Sequence, residues 1–289
     1  MRKIDQYFYF EPTVPLHHYT GIGTLLNLAP KLSEEETKLW ASHVSYLNDS
    51  QEVRHAKEVM RYVLGPANRV FGGDNTYLWF LHMFGSWLED TMTSSFDMYV
   101  FSLSEERSLL SQWRSYTPHG KGLSITFSTE LIREIAHINH LRIGKCIYIL
   151  EEQRELIESL IESLWVTFTN SDHDQNEVTA HAYFDNFAED ILQVLALIKH
   201  HAFQEEREWR LISNANAFAP AVKFRQADGA LLLVPYTEFK LPIKDNKFDA
   251  ITLGPTPHRE LSLAALQTFT KQAKLTLSVM ESDIPFRKW

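Results

Sequence analysis

The chain has 289 residues, 44% of them hydrophobic and 22% charged, a balance that suits a soluble globular protein with ample material for a packed core. Eighteen Phe, 11 Tyr and 7 Trp exclude a disordered polypeptide. A formal net charge of −9 excludes a dominant non-specific grip on nucleic acid, although it leaves room for a local basic groove.

The predicted elements follow in chain order. The start, MRKIDQYFYFEPTVP, lacks the apolar segment of a signal peptide. No apolar run approaches the roughly 18 residues of a membrane span, so a cytoplasmic location is expected. VPLHHYT reads as a strand, GIGTLLNLAP as a turn into a short helix, and TKLWASHVSYL as a second strand. LNDSQEVRHAKEVMRYVLG carries a capping signature, with Asn48 or Ser50 ahead of Glu52, and stops at Gly65-Pro66. An aromatic-rich helix (NTYLWFLHMFGSWLEDTM), a strand (DMYVFSLS) and a helix over EERSLLSQWRSY come next, then strands at GKGLSITFS and KCIYIL. In EEQRELIESLIESLWVTF the residues Leu156, Ile157, Leu160, Ile161, Leu164, Trp165 and Phe168 make one apolar helical face. A polar loop (NSDHDQNE) separates it from a second helix, AEDILQVLALIKHHAF, which leads into QEEREWRLIS. AVKFRQ, ALLLVPY, DAITLGP and KLTLSVM read as strands, with the helix ELSLAALQTFTKQA between the last two. This mixed order, without regular βαβ alternation, indicates the α+β class.

Most motifs weigh toward structure. Cys146 is the only cysteine, so no internal disulfide forms, and its apolar setting makes it a small core residue in a reducing compartment. The 13 histidines include His137 and His140, and Asp172-His173-Asp174 is ligand-rich, but no strong metal spacing is present. GIGT lacks the third glycine and acidic partner of a dinucleotide fingerprint, and the GKG at 120–122 lacks the P-loop frame. Ser102 and Ser104 would share a strand face without a nucleophile elbow. SQWRSY places Trp113, Arg114 and Tyr116 at a helix end, either as packing or as a stacking and anion-binding corner. The adjacent His17 and His18 must point to opposite faces of a strand, one of them wet and one buried. QEEREWRLIS poses the sharpest question. On a strand, Glu206, Glu208 and Arg210 share one face while Arg207, Trp209 and Leu211 share the other. The glutamates are then either a solvated, salt-bridged edge or a working pair in a cleft.

Taken in order, LHHYT, LWASHVSYLNDSQE, YVFSLSEERSLLSQWRSY, GKGLSITF, EEREWRLI, VPY, LGP and SDIPF resemble a bacterial family catalogued as domain of unknown function 2971. That family in turn resembles the ADP-ribosyltransferases. The resemblance implies one domain over residues 1–289, with mostly antiparallel sheets in an ADP-ribosyltransferase-like core and helical insertions near 50–95 and 150–200. It further implies NAD as substrate, with cleavage of the nicotinamide–ribose bond and transfer of ADP-ribose to a protein or nucleic-acid acceptor, or to water. By analogy it implies a toxin or phage-defence setting. His18-Tyr19-Thr20 resembles the family's first strand element, Phe101, Ser102 and Ser104 the second, and Glu206-Arg207-Glu208 the third. On that pattern Glu208 would stabilise the cationic ribose and Glu206 would polarise the nucleophile. His18 would hold the adenosine ribose, Arg114 would meet the pyrophosphate, and Phe101, Trp113 or Tyr116 would stack on nicotinamide. The second strand offers no clear tyrosine for stacking on nicotinamide. Asn48, Asp49 and Glu52 would help shape the pocket or simply cap a helix. Two rivals stand beside this reading. One is a non-catalytic binding module, in which Glu208 is taken up by a salt bridge to Arg210 or Arg114 and the cleft is filled. The other is a protein acting on nucleic acid.

Overall fold

The structure is a computed structural model, described here over residues 7–8, 11–28, 37–47, 52–67, 75–93, 98–117, 122–171, 176–213, 222–226, 232–242 and 248–285. Its frame is a mixed sheet. The strands are β1 (Leu16–Thr20), β2 (Lys38–His43), β3 (Tyr99–Ser104), β4 (Leu123–Phe127), β5 (Arg142–Lys145), β6 (Glu208–Ile212), β7 (Lys223–Gln226), β8 (Leu233–Lys240), β9 (Ala250–Leu253) and β10 (Ser278–Glu281). Every pairing is antiparallel except β9 with β10. The α+β class expected from the element order is therefore what the chain adopts, with mostly antiparallel pairing.

The sheet forks at β3. One edge of β3 pairs along its length with β6, which continues to β5. The other edge is shared: His17 of β1 registers with Ser104, while Ser42 and His43 of β2 register with Val100 and Tyr99. Two wings leave this fork, β1-β4-β9-β10 and β2-β8-β7. Between them the Ser102 carbonyl accepts a hydrogen bond from His18 Nδ1 at 3.0 Å, a side chain standing in where neither wing supplies a ladder partner.

Helices cover both faces. The helices α1 (Ile22–Leu28), α5 (Thr129–Ile138) and α9 (Arg259–Gln272) pack with Leu16, Leu39, Phe101, Leu103, Leu211 and Ile251 in one core. On the opposite face α2 (Glu52–Ala67), α3 (Asn75–Thr93), α6 (Leu150–Thr169), α7 (Glu177–Asp185) and α8 (Ala188–Leu195) build a second core against Val100 and Ile212. The two helical stretches expected near 50–95 and 150–200 thus fold as one layer. The stripe Leu156, Ile157, Leu160, Ile161, Leu164 and Phe168 is buried as its spacing predicts. No helix among the described residues is long and apolar enough to cross a membrane.

Three expectations are corrected. KCIYIL is not a strand: β5 ends on its first residue, Lys145, and Ile147 makes only an isolated bridge to Ile198. The helix expected over EERSLLSQWRSY is α4 (Leu110–Tyr116), beginning only at Leu110. Its first residues are held as a loop because the Tyr19 hydroxyl donates to Glu106 O (2.6 Å) and accepts from Leu109 N (3.0 Å). Glu206 is not on a strand either. It ends a 3-10 turn (His201–Glu206), Arg207 adopts the left-handed conformation with φ 43°, and β6 begins at Glu208.

Candidate functional site

The two glutamates come together without sharing a strand. The turn and the left-handed residue swing Glu206 back so that both carboxylates meet one amine. Lys199 Nζ donates to Glu206 Oε2 at 2.6 Å and to Glu208 Oε2 at 2.5 Å. Arg210 completes the group from the same face of β6. Its Nε donates to Glu208 Oε1 (2.8 Å), its Nη2 to Glu208 Oε2 (3.1 Å), and its Nη1 to the Ala196 carbonyl (2.6 Å). The four side chains sum to zero charge and all lie in the interior: Lys199 is 0% exposed, Arg210 1%, and each glutamate 3%. Burial pushes the Glu208 carboxyl up, but Arg210 and Lys199 outweigh it and hold the group well below the usual carboxylate range.

Neighbouring backbone fixes the cluster. Glu208 N donates to the Tyr148 hydroxyl (2.9 Å), and the Cys146 amide donates to Glu208 O (2.9 Å). Ser104 Oγ donates to Glu206 O (2.6 Å) and accepts from Glu106 N (3.0 Å). Gln153, fully buried on α6, donates to the Ile147 and Lys199 carbonyls at 2.7 Å each. Cys146 is buried in the same wall, in keeping with a packing role.

Strand register sorts the remaining candidates. His17 registers with Ser104, and Ser104 with Glu208, so these three stand in one lateral row across β1, β3 and β6. By alternation Tyr19 and Ser102 share that face, and Ser102 registers with Arg210. His18, Thr20 and Phe101 lie on the other face. There His18 stacks on Phe101 with ring centroids 4.3 Å apart, and Phe101 packs edge-on against Phe127 and Phe239. The sheet therefore separates His18 from Glu208, and Phe101 is a core ring, not an open stacking platform. Thr20 Oγ1 is paired with Thr24 Oγ1 at 2.7 Å.

Trp113 is wholly buried. It meets the edge of the Tyr19 ring at 4.6 Å and packs against Gly254, whose amide donates to the Gly122 carbonyl at 2.9 Å. No side chain fits at Gly122, where a Cβ would collide with the Thr20 carbonyl and Thr117. Arg114 is exposed and Tyr116 half-buried on α4. Burial pushes His17 down to about 4, helped by the positive charge of Arg107, and His18 down to about 4 as well. His17 Nδ1 lies 3.1 Å from Thr126 Oγ1. Asn48, Asp49 and Asp172-His173-Asp174 fall outside the described residues, as does the side chain of Glu52. Among the described residues no three His, Cys, Asp or Glu side chains gather as metal ligands.

With this geometry in place, one comparison matches. Residues 112–211 match the model of a family described as "Protein of unknown function (DUF2971)". The matched segment runs from α4 to β6, so it carries Trp113, Arg114, Lys199 and both glutamates. No curated protein and no solved structure matches the chain.

Sequence reasoning did not single out Lys199 as a partner of the glutamates, and it favoured His18 over His17. A signal for Lys199 existed: a cation embedded in the apolar run ALIK must find a buried anion.

Proposed function

We propose that this chain is an ADP-ribosyltransferase-like protein directed at NAD, with Glu208 as the carboxylate that faces the reacting ribose. The observation carrying this reading is the row His17–Ser104–Glu208 on three neighbouring strands. It brings Ser104 and Glu208, from the second and third elements of the resemblance, onto one face with His17, which precedes the first element's His18-Tyr19-Thr20; His18 itself lies on the other face. The chemistry is consistent with the electrostatics. Cleaving the nicotinamide–ribose bond leaves a cationic ribose, and a fixed, ionised carboxylate stabilises that charge. The acceptor bonds to the ribose carbon as nicotinamide departs with the electron pair of the broken bond, and the acceptor's proton is released. Glu208 uses three of about four carboxylate acceptor sites on Arg210 and Lys199, leaving one on Oε1 for a ribose hydroxyl. The reading requires that substrate binding uncover this carboxylate.

A second reading is favoured by a specific observation. Both oxygens of Glu208 are already bonded to cations and Phe101 fills the core, which is the arrangement of a binding module that keeps the frame without the chemistry. Nicotinamide release from NAD, measured for the native chain and for Glu208→Gln and Glu208→Asp, separates the two. Release lost in the glutamine variant, with NAD binding by calorimetry retained, supports the enzyme. Binding without release by any form supports the module. No binding and no release by a folded native chain overturns both.

A further inference from the structure

A different wing of the sheet carries the chemistry of a nucleic-acid platform. On the β2-β8-β7 wing, Trp40 registers with Glu238, Lys38 with Lys240, and Ser42 with Tyr236. Lys223 registers with Tyr236 and Arg225 with Val234. Alternation therefore places Lys38, Trp40, Tyr236, Lys240, Lys223 and Arg225 on one side of three adjacent strands. Trp40 is 44% exposed, an unusual setting for so large a ring, and it rests on Tyr236 with centroids 4.6 Å apart. Glu238 is the single anion among these strand positions, held by Lys223 at 2.9 Å and Lys38 at 3.5 Å. At these described strand positions four cations against one carboxylate leave a surplus of three positive charges, on a chain whose net charge is −9. Arg225 is steadied by donating to Ser42 Oγ at 3.2 Å.

We infer that this wing binds single-stranded nucleic acid, with Trp40 stacking on an unpaired base and the surrounding lysines and Arg225 meeting backbone phosphates. An exposed ring on a basic antiparallel sheet face offers both halves of that recognition. A base has an aromatic face that an acidic peptide lacks, and in a duplex that face is hidden by stacking. The inference goes beyond the NAD reading and does not depend on it.

The test is fluorescence anisotropy on the full chain without NAD, using labelled 12-nucleotide oligo(dT) and oligo(U), a duplex of equal length, and polyglutamate as competitor. Both single strands are expected to bind, and the duplex at least tenfold more weakly. Neutralising three phosphates weakens binding roughly twentyfold between 50 and 200 mM salt. Trp40→Ala lowers affinity about tenfold while Trp40→Phe keeps most of it, and Lys223→Glu with Arg225→Glu flattens the salt dependence. Circular dichroism verifies the fold of each variant, and a preference between the two oligonucleotides shows which of them is favoured while upholding the inference. Absence of binding at 50 mM salt, duplex binding as tight as single-strand binding, full affinity in Trp40→Ala, or equal competition by polyglutamate overturns it.

Discussion

Two glutamates on this sheet are each bracketed by two cations, and their surroundings give them different work. Glu208 lies between Lys199 and Arg210 with 5% of its side chain exposed. Glu238 lies between Lys38 and Lys223 with 19% exposed, and its cations are more open still. In the interior each charge gives up its hydration, so the group is tolerable only while every partner is present. On the open wing water and salt screen the same contacts, and losing one changes little. The pairing is alike in both places, so burial decides whether a charge cluster is a structural necessity or an adjustable surface.

The largest effect should come from breaking the buried set. Lys199→Met removes the amine that joins the two carboxylates and strands a net negative charge where all four side chains are buried. The expected loss is about 3–5 kcal/mol, read from urea unfolding at pH 7. Adding Glu206→Gln returns the cluster to neutrality and should recover a substantial part of the loss. Equal stability of native and Lys199→Met would show that the cluster opens to water in solution.

Acid separates the cluster from the histidines at the fork. His17 and His18 are neutral when folded, with values near 4 against about 6.5 unfolded. Protonation therefore favours the unfolded chain, and their contribution, complete above about pH 6.5, falls as the pH drops from 6.5 toward 4. Glu208 has the opposite charge type. Its folded value is depressed, so its contribution is complete above about pH 4.3 and is lost only below that. Between pH 6.5 and 4.5 the histidines alone of these three should cost stability, ~2 kcal/mol each at most, with half-buried His18 contributing less. Urea midpoints across this range test the order, and His17→Asn with His18→Asn should flatten the curve there. A native profile with no slope between pH 6.5 and 4.5 contradicts neutral burial at the fork.

Much of the frame was legible because apolar spacing reports it directly. β1, β3, β4 and the stripe of α6 follow from alternation or three-to-four spacing, since each buries a continuous face. Thr129–Ile138 and Glu177–Asp185 form helices that the periodicity reading leaves unassigned. For the first, Ser128 accepts the Leu131 amide as an N-cap, a short polar signal lost beside a neighbouring strand. The site was legible only in part. Glu206, Glu208 and Arg210 do converge, but through a 3-10 turn and a left-handed Arg207, which residue types do not announce. Lys199 joins them because the chain doubles back between α8 and β6, a tertiary event. The choice between His17 and His18 turns on a one-residue register, and such a slip moves a side chain to the other face of the sheet.

The smallest stability effect should belong to Glu238→Gln, and it gives the sharpest contrast with the buried set. Its carboxyl is held below the usual range: burial raises it, and the hydrogen bond from Lys223 together with the charges of Lys223 and Lys38 more than compensates. With water close by, the substitution should shift Tm by no more than about 2 °C, and by less in high salt. The same change removes the anion that Lys38 and Lys223 hold beside Trp40. Affinity for a single-stranded oligonucleotide should therefore rise a few-fold at 50 mM salt, with the gain fading by 200 mM. Glu208→Gln at the buried site should do the reverse, lowering Tm while leaving oligonucleotide affinity where it was. If Glu238→Gln lost as much stability as Glu208→Gln, burial would not be the variable that distinguishes the two clusters.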